Sequence, residues 1–150
     1  MATMLETTAA LRVERDFDAS RERVFRAWID PSAARVWFAP PGAVWTEPLV
    51  LQARPGGRFR FRVSVAGKVY TIHGTYREIR LSDRLVFTWE WEDDPDRGDS
   101  GKSLVTLQLR EQGRKTELSL TQTGFPSESS RQAHRARWED CLATVARLVE

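Results

Sequence analysis

The C-terminal segment, Ser127 to Glu150, constrains the fold more than any other part of the chain. It reads as one helix about 36 Å long, at about 1.5 Å of rise per residue. Its apolar side chains recur every three or four residues and form one stripe, which contains Trp138, Cys141, Leu142, Val145, Leu148 and Val149. His134 precedes Trp138 by one turn on the same stripe. Such a helix must bury its stripe against another layer of structure.

Strands supply that layer. Residues 43–123 predict about six strands joined by short turns, such as the hairpin at Ala66-Gly67-Lys68, and short turns favour antiparallel pairing. The first strand covers residues 43–52, and Gly74 is expected to mark a bulge or bend in the third. The segment "RFRFRVSV", residues 58–65, alternates arginines with Phe59, Phe61 and valines. Strict alternation is typical of a strand with one face buried and one face in water. We therefore expect Phe59 and Phe61 to be buried and the arginines to face solvent.

The N-terminal part predicts one strand and two short helices. Residues 11–17 have a strand pattern, Ser20 is a good N-cap for a helix, and Asp30 followed by Pro31 opens a second helix. Met1 to Thr8 is predicted to be a loose terminus. The resulting order is β-α-α-β-β-β-β-β-β-α, an α+β fold. A chain of 150 residues fits a single domain over 1–150.

Composition argues against several classes of protein. The net charge is only +2, so binding to nucleic acid is not indicated, and the aromatic rings of the alternating strand are expected under a helix rather than exposed to bases. A single cysteine cannot form an intramolecular disulfide. Since the sequence has neither a long apolar run nor a signal-peptide pattern, we predict no membrane insertion and a cytoplasmic location.

Few residues could carry out chemistry. His73 and His134 could be polar groups of a pocket, or ordinary surface and helix-end histidines. Cys141 is interpreted as a small buried hydrophobic residue. The alternative is a nucleophile, which would need an exposed thiolate. A zinc site would need carboxylates from distant strands, and the acidic segment 92–101 lacks the calcium-loop spacing. We predict no catalytic residues, no metal and no cofactor.

The aromatic residues have two interpretations. Six tryptophans and seven phenylalanines can fill a core or line an apolar pocket. Trp37, Phe38 and Trp45 flank the Pro-Pro-Gly turn at residues 40–42. Strand parity and helix spacing point a second group inward, namely Phe61, Phe87, Trp89 and Trp138. The sequence alone does not choose between a solid core and a cavity.

Three parts of the chain have a recognisable pattern: "RDFDASRERVFRAWIDPSAARVWFAPPG", the central "PGGRFRFRV" and "GTYREIRLSDRLVFTWEW", and "TELSLTQTGFPSESSRQAHRARW". In this order they resemble the START-like (SRPBCC) helix-grip superfamily, and within it the homologues of the activator of the heat-shock-protein-90 ATPase. Near the start of the last helix this family usually has His-x-x-Gly-Trp. Here Arg137 stands where that glycine is expected, between His134 and Trp138.

The resemblance implies a curved sheet wrapped around the C-terminal helix, with an apolar cavity between them that opens near Pro40-Pro41-Gly42. It implies binding of a hydrophobic small molecule by a monomer or weak homodimer. The alternatives are a co-chaperone-like module that binds a protein partner and, behind it, an enzyme acting on a hydrophobic substrate. The predicted pocket residues are Trp37, Phe38, Trp45, Phe61, His73, Phe87, Trp89, His134, Trp138, Cys141, Leu142 and Val145.

Overall fold

The structure is a computed structural model that describes residues 10–39, 42–92, 103–125 and 127–150. Strand β1 (Leu11–Phe17) precedes helices α1 (Arg21–Ile29) and α2 (Pro31–Trp37). The following strands are β2 (Val44–Trp45), β3 (Val50–Leu51), β4 (Arg58–Val65), β5 (Lys68–Arg80), β6 (Arg84–Trp91), β7 (Ser103–Gln112) and β8 (Lys115–Thr123). Helix α3 (Glu128–Val149) ends the chain. The α+β class and the order of the main elements are therefore confirmed.

All the strands belong to one antiparallel sheet. Its order is β1-β8-β7-β6-β5-β4-β2, and β3 also pairs with β4. Consecutive strands are neighbours from β4 to β8, as short connections predict, whereas β1 closes the far edge by pairing with β8. The sheet thus has two ends, which are called the β1 end and the β4 end below.

Two details of the strands differ from the prediction. The segment 43–52, expected as one strand, forms the two short strands β2 and β3, which pair with separate stretches of β4. Pro48 lies between them, and a proline cannot donate to a strand ladder. Gly74 was expected to mark a bulge or bend, and the register shift between β5 and β6 falls instead between Tyr76 and Glu78.

Gly74 has a different role, which is close approach. A Cβ atom at this position would collide with the carbonyl oxygen of Thr88 and with the ring of Phe59. Only glycine leaves room for the Phe59 ring against β5 here. Gly74 therefore allows a large side chain to pack directly on the strand.

The helices begin where the sequence predicts. The side chain of Ser20 accepts a hydrogen bond from the backbone N–H of Arg23, and that of Asp30 accepts one from Ser32. The Ser127 side chain likewise caps α3 by accepting from the N–H of Ser130. Each cap satisfies a backbone donor that the first helical turn leaves unpaired. No helix in the described ranges is long and apolar enough to cross a membrane.

The alternating strand β4 behaves as predicted. Phe59 and Phe61 are each 1% exposed, while the side chains of Arg60 and Arg62 are 37% and 38% exposed on the opposite face. On the inner face of the sheet, α3 packs against β1, α1 and α2. Its buried residues include the predicted stripe members Trp138, Cys141, Leu142, Val145 and Val149. The alternation and the covering helix are both confirmed.

Candidate functional site

The inner face of the sheet carries a recess at its β4 end. Strands β4 and β5 form most of it, β6 and the residue after α2 close two sides, and α3 contributes one side chain. The recess has a volume of about 210 Å³ and is lined by Phe38, Phe61, Val63, Val65, Tyr70, Ile72, Trp91 and Arg137. All these side chains except Arg137 are apolar or aromatic. The arrangement can therefore accept an apolar group through burial alone.

A smaller gap adjoins this recess beneath α3. Its volume is about 20 Å³, and its lining shares Phe38, Ile72, Trp91 and Arg137 with the recess. The other lining residues are Trp89, His134, Trp138 and Cys141. This volume is enough for about one water molecule. The gap therefore lies directly beside the recess, and Arg137 stands on the wall common to both.

Arg137 is held in place by two contacts. Its Nη2 donates to the backbone carbonyl of Phe38 at 2.7 Å, and its Nη1 donates to the Cys141 sulfur at 3.1 Å. Among the described residues, no carboxylate forms an ion pair with it, in contrast to Arg60, Arg84 and Arg131. A positive charge without a carboxylate partner thus lies at the edge of an apolar recess.

His134 links the start of α3 to the end of β6. Its Nε2 lies 3.2 Å from Trp91 Nε1, which is a donor, and its Nδ1 lies 2.8 Å from the carbonyl oxygen of Ser130. Since the indole can only donate, Nε2 accepts and Nδ1 carries the proton in this arrangement. The histidine holds the Trp91 ring, which forms one wall of the recess.

The predicted pocket residues separate into groups. Phe38 and Phe61 line the recess, and Trp89, His134, Trp138 and Cys141 line the gap. Trp37, Phe87, Leu142 and Val145 are at most 4% exposed and belong to the packed core. Trp45 contacts the Phe61 ring but lines a separate groove with Gly42 and Arg35. Pro40 and Pro41, at the predicted opening, lie outside the described residues, as do residues 93–101 of the acidic segment.

The placement of His73 needs correction. Its neighbours across the ladder are Arg60 and Glu90, which belong to the outer face of the sheet. Its Nε2 lies 4.0 Å from a carboxylate oxygen of Glu92 there. Because successive side chains alternate between faces, its neighbours Ile72 and Gly74 point inward and His73 cannot. The prediction that it lines an inner pocket is therefore wrong.

Cys141 is poorly suited to nucleophilic chemistry. The residue is 4% exposed, and burial raises the pKa of its thiol to about 11, although the Arg137 cation acts in the opposite direction. A reactive cysteine needs an accessible thiolate. Within the described ranges, no group of three or more His, Cys, Asp or Glu side chains could hold a metal ion.

Sequence reasoning missed six residues of the recess wall. Val63, Val65 and Trp91 share the inward parity already visible in their strands, so their omission left out a signal that the sequence contained. Tyr70 and Ile72 follow from the same parity once the register with β4 is known. Arg137 stood out only as a departure from the family pattern. Its position could not be inferred from the sequence alone.

A single antiparallel sheet that packs one face against a long C-terminal helix, with an apolar recess between them, defines the helix-grip (SRPBCC-type) class of proteins. The family model described as "Activator of Hsp90 ATPase homolog 1-like protein" matches residues 18–150. The chain therefore belongs to that family.

Solved structures from other organisms share the fold. Protein CV1439 from Chromobacterium violaceum is 28% identical, with 94% of this chain and 96% of that chain covered and a TM-score of 0.83. CalU16 from Micromonospora echinospora is 25% identical over 92% of this chain and 74% of that chain, with a TM-score of 0.66. Protein Ms6760 from Mycobacterium smegmatis is 18% identical over 96% and 92% of the two chains, with a TM-score of 0.79, and shows the fold alone. A search of curated proteins finds no match.

Proposed function

We propose that this protein binds a small apolar or aromatic molecule in the recess between β4, β5 and α3. The observation that carries the proposal is the recess itself, a space of about 210 Å³ with a single charged side chain in its lining. Apolar surface of this kind, left open in a protein whose core is otherwise tightly packed, is typical of a ligand site.

The size of the recess limits the ligand. A dry protein cavity of about 150 Å³ holds benzene, and pockets for drug-sized molecules begin at about 300 Å³. The recess lies between these values. A ligand of one or two rings matches it better than a fatty acid, which needs a longer channel.

The alternative function, docking of a protein partner, has less support. It needs a contiguous exposed apolar patch. In the described part of the chain the exposed large hydrophobic residues are spread over several elements, among them Val36, Val44, Val50 and Leu81. An enzymatic role has less support still, because Cys141 is buried and His73 lies on the outer face. Cytoplasmic location and a monomeric or weakly dimeric state remain predictions from the sequence.

A thermal-shift screen tests the proposal. Compounds of one or two rings should raise the melting temperature, because a ligand that binds only the native state stabilises it by about 2.7 kcal/mol at a hundredfold excess over its Kd. Substituting Val65→Phe should fill the recess and abolish the shift. The control is Val69→Phe, which adds the same volume on the outer face of the adjoining strand.

The two variants separate the possible outcomes. Stabilisation that Val65→Phe removes and Val69→Phe retains would support the recess as the site. If no compound stabilises the protein, or if both variants respond like the wild type, the proposal fails. In that case a search for a protein partner becomes the next experiment.

A further inference from the structure

The geometry points to a carboxylate on the ligand: the recess binds a small aromatic acid whose anionic group meets Arg137 at the boundary between the recess and the gap. This inference rests on the proposed function and names the chemical class of its ligand. It starts from the one residue of the recess wall that burial of apolar surface does not explain.

The first step concerns the charge. Arg137 lines the recess and the gap, and no described carboxylate pairs with it. Its two protein contacts are a carbonyl oxygen and a sulfur atom, neither of which neutralises a cation. Some arginines near the surface, such as Arg60 and Arg84, have carboxylate partners, whereas Arg135 contacts only a backbone carbonyl. Arg137 differs from these arginines because it lines an apolar recess, where an anionic group of a ligand would supply its counterpart.

The second step concerns the remaining donors. A guanidinium has more N–H groups than the two contacts to Phe38 and Cys141 use. Those contacts fix the plane of the guanidinium, so its side chain loses less conformational freedom when a ligand binds. A planar guanidinium fits a carboxylate through two parallel hydrogen bonds. Arg137 is thus preorganised for a planar anion.

The third step is independent of Arg137. Trp89 lines the same gap, and its indole N–H is buried without a hydrogen-bond partner in the described part of the chain. An unpaired buried donor costs free energy that an acceptor from a ligand can recover. An indole can donate but not accept, so it favours an acceptor group, as Arg137 does. Both observations favour a ligand with oxygen acceptors where the recess meets the gap.

A matched pair of probes tests the inference. Naphthalene-2-carboxylate and its neutral relative 2-naphthamide have the same ring system and differ in charge. Isothermal titration calorimetry should show the wild type binding the acid about tenfold more tightly than the amide, which is a conservative value for a partly exposed charge-assisted pair. Arg137→Gln should remove this preference and leave amide binding within about threefold of the wild type.

Two further variants guard against indirect effects. Arg135→Gln lowers the net charge equally on the same helix, but Arg135 contacts the backbone of Arg12 rather than the recess, so it should retain the preference for the acid. Arg137→Lys keeps the charge without the planar fork and should retain part of the preference. Urea unfolding of each variant verifies that it is folded before binding is compared.

The outcomes distinguish the two proposals. Preferential binding of the acid that Arg137→Gln abolishes and Arg135→Gln retains supports the inference. Equal binding of acid and amide by the wild type, or a preference that survives in Arg137→Gln, overturns the carboxylate inference and leaves the binding function intact. If the wild type and all variants bind neither probe nor any ring compound of the thermal-shift screen, the proposed function fails and the inference with it.

Discussion

The two ends of the inner sheet face are filled to very different degrees. At the β1 end, α3 and the short helices cover the strands, and Leu11, Phe17 and Leu120 are fully buried. At the β4 end, Val65, Tyr70 and Trp91 are only half-buried and surround the recess. Both ends belong to one twisted sheet, and a straight helix cannot follow a twisted sheet along its whole width. We attribute the open space to this difference in shape between helix and sheet rather than to a lack of large side chains.

The tryptophan cluster marks the closed region. The Trp28 and Trp37 ring centroids are 4.4 Å apart, and Trp138 lies within 6.4 Å of both. The indole of Trp37 donates to the carbonyl oxygen of Ala27, and that of Trp138 donates to the side chain of Gln122, each at 2.7 Å. Rings that are packed and hydrogen-bonded in this way resist rearrangement. The closed region is therefore a tightly packed wall beside the open region.

The largest expected effect is the loss of Trp138. Trp138→Ala should lower the free energy of unfolding by about 3–5 kcal/mol, because it leaves a large cavity and removes the donor to the buried amide oxygen of Gln122. Trp91→Ala, at the open end, should cost only about 1–2 kcal/mol because that ring is half-exposed. Urea denaturation measures both values. A loss below about 1 kcal/mol for Trp138→Ala would contradict the distinction between the two regions.

Cys141 tests how closed the packed region is. With a thiol pKa of about 11 against an ordinary 9.0, the native thiolate fraction at pH 8 is about a hundredfold lower than in the unfolded chain. Iodoacetamide should therefore label the native protein at least about a hundredfold more slowly than the urea-unfolded protein. Labelling at comparable rates would show that the gap beneath α3 is open to solvent.

The same pKa gives a pH dependence. The folded thiol has the higher pKa, so its stabilising contribution is complete below pH 9 and is lost as the pH rises toward 11. The free energy of unfolding should fall in this window by about 1.4 kcal/mol per pH unit at most. A Cys141→Ala variant provides the reference, since other groups also titrate there. Parallel pH profiles of the two proteins would contradict the raised pKa.

Arg137 separates the open recess from the closed gap, and its removal should join them. Arg137→Gly and Arg137→Ala should both bind the neutral, longer probe biphenyl-4-methanol about tenfold more tightly than the wild type does, as calorimetry can measure. The glycine variant should also lose about 1 kcal/mol of stability, the cost of glycine within a helix. If neither variant gains affinity, the neighbouring side chains have collapsed into the space and Arg137 is not the dividing wall.

The sequence predicted the closed region better than the open one. Helical spacing from Trp138 to Val149 and strand parity around Phe59 and Phe61 depend on local periodicity, and both are confirmed. The open region depends on how far α3 diverges from the sheet, which no local pattern records. His73 was misplaced because its strand register was unknown, since a shift of one residue exchanges the two faces. Arg137 was visible in the sequence, but its contact with Phe38 spans 99 positions of the chain.

The smallest expected effect concerns the outer face of β4, directly behind the recess. There Arg60 pairs with Glu47 at 2.6 Å and with Glu92 at 3.1 Å, while Arg62 lies 3.6 Å from Glu47. All four side chains are more than a third exposed, so solvent and salt screen the network strongly.

Arg60→Gln should therefore lower the free energy of unfolding by less than about 1 kcal/mol, and the loss should shrink in 0.5 M NaCl. Arg12→Gln is the control, since among the described residues Arg12 forms an ion pair only with Glu14 on its own strand. This substitution should cost even less. Because Glu47 lies between β2 and β3, the network ties these edge strands to β4. If Arg60→Gln costs as much as Trp138→Ala, the open region depends on this edge for its stability. The contrast between a tightly packed closed region and a less filled open one would then have to be abandoned.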